Sequence, residues 1–219
     1  MTGRHRDALV VLLALATGAT DATAFERLGN AFASVITGNL VLLGIGGARP
    51  DGRLALFSGC ALAAYAIGVL ATAPRRDENQ PSSWPVSANL ALGADLLLLV
   101  AVTVGWELSD GHPGRTAQAL LLAAAAAAMG AQSTAVRRLG PISTTYLTST
   151  FIGVLESIAA RRWSADETRS VAILLVAFGG AAAATGLIVD APRLLPILLL
   201  APLVVVIWSA RRLTAHDRP

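Results

Sequence analysis

The chain contains no lysine: all seventeen Lys/Arg positions are arginine. Charge is scarce, at 14 % of residues, and aromatics make up only 5 %. There is one cysteine, Cys60, and three histidines, His5, His112 and His216. Each scarcity removes a class of function. A soluble domain carries about a quarter charged residues because its surface faces water. A cytosolic enzyme, a nucleic-acid module and a disordered tail therefore fail on composition. A single cysteine excludes an internal disulfide and a thiolate metal centre. The histidines lie in polar ends or loops, so no zinc site is expected. Phosphate-binding loops, dinucleotide glycine patterns and nucleophile elbows are missing as well. No metal, no cofactor and no enzymatic activity are expected. One arrangement stays open: an intramembrane aspartyl pair of Asp21 and Asp95.

What the chain has in abundance is apolar surface. Hydrophobic residues make up 54 % of its 219 positions and the mean hydropathy is +0.62. The formal charge is only +3, and the arginines fall in ones and twos between apolar runs. That is the scatter of short membrane loops, not a basic face for nucleic acid. A spanning helix needs about 20 apolar residues. Six stretches qualify: Ala8 to Phe25, Leu54 to Ala73, Val86 to Trp106, Ala117 to Ala135, Ser170 to Val189 and Leu194 to Trp208. Two more, Ala31 to Gly46 and Ile142 to Ala160, are weaker and rich in Thr, Ser and Gly. Arg4 and Arg6 before an apolar run also fit a secretory signal, but the later spans favour an uncleaved first helix. Runs such as Leu120 to Met129 lack the period-two alternation of a barrel. The expected fold is all-α: a polytopic transmembrane helix bundle in the bacterial inner (plasma) membrane, in contact with the lipid bilayer and compatible with a homo-oligomer.

The sequence also resembles itself at an offset of 111. Thr23, Ala24, Arg27, Leu28 and Gly29 match Thr134, Ala135, Arg138, Leu139 and Gly140, and Thr37 matches Thr148. Asp21 falls on Gln132, and with one gap Gly18-Ala19 falls on Gly130-Ala131. This divides a single membrane domain, 1–219, into repeat one, 1–107, and repeat two, 112–219. If the weak segments cross, the halves are parallel; if they are re-entrant, the halves are inverted. Eight crossings are preferred here, because Arg-Leu-Gly is a short turn and the segment after it can nearly span. The positive-inside rule favours a cytoplasmic N-terminus either way. Eleven arginines fall inside and six outside for eight crossings, and twelve against five for six.

Several residues resemble a known family. Gly18-Ala-Thr-Asp21-Ala-Thr-Ala-Phe25, Leu28-Gly29, Phe32 and Thr37-Gly38-Asn39-Leu40 look like the N-terminal signature of the YoaK family of bacterial membrane proteins, a domain of unknown function. Gly130-Ala-Gln132, Arg137-Arg138-Leu139-Gly140 and Thr144-Thr145 resemble its second half. Two positions depart from the family pattern: Val35 replaces a common Asn, and Thr148-Ser149 replaces Thr-Gly. The resemblance implies a membrane protein of about this length and supplies no activity.

Polar groups at mid-bilayer cost about 2.5–3.5 kcal/mol on insertion scales and need a reason. Asp95 sits near the middle of its apolar run, either lining a cavity or bonded to a neighbouring helix. Asp21 is either a site or a cap for the next helix. Thr37-Gly38-Asn39 reads as a broken helix offering backbone to a solute, or as close interhelical packing. Gln132, Thr144, Thr145 and Thr148 fill related places in the second half. Gathered at a pseudo-twofold centre, these residues would bind an unknown small solute. The expected function is a small-solute transporter or permease. The alternative is a non-transporting assembly, regulatory or scaffold protein.

Overall fold

The computed structural model describes residues 3–50, 52–73, 86–139 and 147–216. The apolar runs become helices: α1 Gly3–Arg27, α2 Ile36–Gly47, α3 Arg53–Thr72, α4 Val86–Leu108, α5 Arg115–Leu139, α6 Leu147–Ala159, α7 Ala165–Asp190 and α8 Leu195–His216. A short 3-10 turn, Pro192–Leu194, joins the last two. Among the described residues, six helices (α1, α3, α4, α5, α7 and α8) are long and apolar enough to cross a membrane. The surface is that of a protein solvated by lipid. Leu70 and Phe178 are each 74 % exposed, while Asn39, Asp95 and Gln132 are fully buried. In water such a surface would drive association; in hydrocarbon it is the solvated side.

Helix directions follow from contacts at the bundle ends. Arg169 of α7 pairs with Asp7 of α1 at 2.7 Å, and Thr185 Oγ1 donates to Glu26 at 2.6 Å, so α1 and α7 run parallel. Arg53 donates to Gln118 at 3.3 Å, and Arg138 to the Thr72 carbonyl at 3.1 Å, so α3 and α5 are also parallel. α4 and α5 pack as a hairpin whose turn is set by positive φ at Asp110 and Gly111. Trp106, near the end of α4, donates its Nε1 proton to the Pro192 carbonyl at 3.0 Å. The end of α7 therefore lies beside the start of α5. The α1/α7 pair runs opposite to the α3/α5 pair.

Both parallel pairs meet backbone to backbone. A Cβ at Gly18 would run into the Ala177 carbonyl oxygen, and one at Gly180 into that of Leu15. In the other pair Gly130 lies on the Tyr65 carbonyl and Gly68 on that of Ala127. Gly18 and Gly130, Ala177 and Tyr65, Gly180 and Gly68, and Leu15 and Ala127 are each separated by 112 positions. Without a hydrophobic drive between helices in lipid, such close approach is what holds them together.

The Thr-rich segments depart from expectation. Their helices occupy only Ile36–Gly47 and Leu147–Ala159. Twelve or thirteen residues rise about 18–20 Å, short of the hydrocarbon core of about 30 Å. α1 ends where Gly29 and Asn30 take positive φ, and Gly29 lies on the ring of Phe57 near the start of α3. The chain then doubles back to Ser34, which bonds Asp21. From there α2 descends antiparallel to α3, with Leu43 against Gly59 and Gly46 against Ala55. The segment leaves and returns at one end of α3, so it is re-entrant. α6 packs on α7, with Ser157 donating to Glu167 at 2.9 Å beside the capping box that Ser164 and Glu167 form. Among the described residues, six helices rather than the expected eight are therefore long enough to cross, and α2 and α6 are too short.

Gly180→Ala will force α1 away from α7 and lower thermal stability in detergent by about 1–3 kcal/mol, the usual cost of overpacking. Gly179→Ala, at the adjacent position, meets open space and will melt like the parent. Thermal melts followed by circular dichroism compare the two; identical melts would remove the tight crossing from the account.

Candidate functional site

Outside a helix, backbone groups in hydrocarbon need partners of their own. Two side chains supply them to residues 28–35. Asn39 is fully buried; its Oδ1 accepts from the Phe32 N–H at 2.9 Å and its Nδ2 donates to the Phe32 carbonyl at 2.7 Å. One amide thus replaces both hydrogen bonds that a helix would give Phe32. Asp21 accepts from the Ser34 N–H at 2.7 Å and from Ser34 Oγ at 2.5 Å. Gly38 lets α2 start close to Phe32, whose ring would lie 3.3 Å from a Cβ there. Thr37 is exposed. The Asn39 and Asp21 bonds hold the broken segment, and Thr37 stands outside that network.

Above the break lies a pocket of about 470 Å³ between α1 and α7. Gly18 and Ala177, the crossing point of the two helices, form part of its wall, so it lies midway along α7 and along the last third of α1. Asp21 and Glu26 bring carboxyl groups to it, and Phe25, Phe32 and Phe178 bring rings. Phe25 and Phe32 stack with centroids 4.8 Å apart. Phe32 comes from the re-entrant segment of the first half, and Leu147, also lining the pocket, is the first residue of α6. Both Thr-rich segments therefore reach one cavity, although α2 packs on α3 and α6 on α7.

Not all the expected site residues join it. Gln132 is buried at the α1/α5 contact, where Nε2 donates to Thr17 Oγ1 at 2.7 Å. That is an interhelical bond away from the pocket lining. Thr148 is exposed, and Thr144 and Thr145 lie outside the described residues. Asp95 belongs to the core between α4 and its neighbours, among Ala91, Leu92 and Leu99. Neither carboxyl oxygen has a hydrogen-bond partner among the described residues, and Asp95 is not part of the lining of the pocket at Asp21. The expected cavity thus forms around Asp21, not Asp95. Among the described residues, no three His, Cys, Asp or Glu side chains cluster closely enough to hold a metal.

The model of the family described as "Protein of unknown function (DUF1275)" matches residues 9–210. The chain belongs to this family. It is 28 % identical over 159 residues to the UPF0700 transmembrane protein YoaK of Bacillus subtilis (strain 168), covering 72 % of this chain and 69 % of that protein. No solved structure matches. In this DUF1275 member, the motif that resembles YoaK is the part that builds the re-entrant turn: Asp21, Gly29, Phe32 and Asn39 each have a defined contact there. Ser34, Glu26 and Phe178 were not singled out from sequence. Ser34 and Phe178 join the site only through contacts 13 and more than 150 positions apart in the chain, and no local pattern signals them.

Asn39→Leu will leave the buried N–H and C=O of Phe32 without partners, at about 1–3 kcal/mol each. The variant will insert but melt well below the parent, and an unchanged melting temperature would show that the amide does not hold the segment. Asp95→Leu keeps the branched side-chain skeleton and removes two unbonded oxygens. It will raise thermal stability, since burying an unpaired polar group costs free energy. A fall in melting temperature would mean that the carboxyl makes a stabilising bond.

Proposed function

We propose that this protein is a small-solute transporter or permease of the bacterial inner membrane, built from two inverted repeats, 1–107 and 112–219, with its solute site around Asp21. The observation that carries the reading is the mid-depth pocket, lined from both Thr-rich segments and bearing a carboxyl at a helix break. Inverted repeats with binding sites at discontinuous helices near the midplane are the architecture of many secondary transporters. The repeat is supported by the two glycine crossings spaced 112 apart. It is also supported by the pattern of packing. α1 on α7 answers α5 on α3, α4 on α5 answers α8 on α1, and α2 on α3 answers α6 on α7. With six crossings, twelve arginines lie on the side of the N-terminus and five on the other, which favours an N-terminus in the cytoplasm. Asp95 has no hydrogen-bond partner among the described residues and is not in the lining of the pocket at Asp21, so the proposed function does not rest on an aspartyl pair.

The test does not need the solute. In a Cys60→Ala background, single cysteines at Ala22 and Leu174, both lining the pocket, are treated with a membrane-impermeant maleimide from each face of sealed vesicles. A transporter that alternates access will label these positions from both faces. Labelling from neither face would overturn transport and leave an assembly or scaffold role.

A further inference from the structure

We infer that the ligand of the α1/α7 pocket is an amphipathic organic cation, with Asp21 as its counter-ion and the phenylalanine rings as its apolar wall. This rests on the reading of the pocket as a solute site and narrows it to one chemical class.

Charge is the first argument. The described lining holds two acids, Asp21 and Glu26, and no basic side chain. Their hydrogen-bond partners are neutral hydroxyl and amide groups, Ser34 and the Ala33 backbone amide for Asp21 and Thr185 for Glu26. A carboxyl group has room for about four hydrogen bonds, so Asp21 keeps some acceptor capacity beyond Ser34 and Ala33. In a medium of low dielectric, acids without a protein cation favour a positive ligand and repel an anion. The wall is the second argument. Stacked Phe25 and Phe32, with Phe178, offer ring faces that attract cations within about 6 Å and pack against apolar bodies. Among the described lining residues, no side-chain hydroxyl or amide donor is present to hold a sugar or another polyhydroxyl solute. Access is the third. Phe178 is 74 % exposed on the lateral surface of α7, so the pocket opens sideways at mid-depth. A ligand with an apolar body reaches it by partitioning into the bilayer. A volume of about 470 Å³ lies within the range of small-molecule sites.

The probe is radiolabelled phenethylammonium, compared with 2-phenylethanol, which replaces its ammonium by a neutral hydroxyl. Binding is measured by scintillation proximity on the full chain in nanodiscs of phosphatidylcholine, whose zwitterionic headgroup does not concentrate cations. The cation is expected to bind about tenfold more tightly than the alcohol competes, and Asp21→Asn to bring the two within about threefold. Phe178→Leu changes an exposed side chain, so it keeps the test open if Asp21→Asn fails to fold. It is expected to weaken the cation about threefold. Equal binding of cation and alcohol to the parent, or a preference that survives Asp21→Asn, would overturn the inference. Cation-selective binding with no uptake into proteoliposomes would leave the ligand class standing and count against transport. Labelling of the pocket from both faces with no cation preference would do the reverse.

Discussion

Every backbone amide within hydrocarbon needs a partner, and the stretch between α1 and α2 obtains its partners from two side chains. Asn39 replaces the helical bonds of Phe32, and Asp21 holds Ser34. The rest of the first half follows from that substitution. Once Phe32 and Ser34 are satisfied without a helix, the chain can turn back inside the bilayer. α2 then begins partway along α3, and Phe32 of the turn is brought beside α1 to wall the pocket between α1 and α7. The residue that anchors the break is also one that lines the pocket. Structural and functional readings of Asp21 are for this reason the same set of contacts seen from two sides.

The larger frame is a pair of parallel contacts, α1 with α7 and α3 with α5. In each, a glycine from one helix sits on a carbonyl of the other. Trp106 and Pro192 tie the two pairs at one end of the bundle, and Gln132 with Thr17 ties α1 to α5 near the middle. Small residues and a few amides thus do the work that a hydrophobic core does in water. Asp95 is the exception. It is buried without a bond among the described residues, on a helix whose other inward residues are mostly Ala, Leu and Val.

The spans were legible in the sequence because length and hydropathy answer directly to bilayer thickness. The break was legible only as weakness. Thr, Ser and Gly lower the apolar signal of 31–46 in the same way whether the segment crosses or turns back. What decides is a pair of long-range bonds, spanning 7 and 13 positions, which no periodicity reports. Asp21 and Asn39 stood out because polar groups in lipid need reasons, and each has one here. Thr37 and Thr148 stood out on the same ground and prove exposed. Composition cannot tell which way a hydroxyl turns. The aromatic wall was illegible because Phe178 reaches Phe25 only through the α1/α7 crossing.

The parallel pairing has a consequence for biogenesis. α1 is made first, yet the helix that covers Gly18 is the seventh in order of synthesis. Until α7 emerges, a stretch carrying buried Thr17, Thr20 and Thr23 together with Asp21 must wait in the membrane without its neighbour. A nascent chain that stops after α4 also lacks α5, so both close crossings are unmade. The packing step that closes α1 onto α7 therefore comes late in synthesis, after most of the second half has been made.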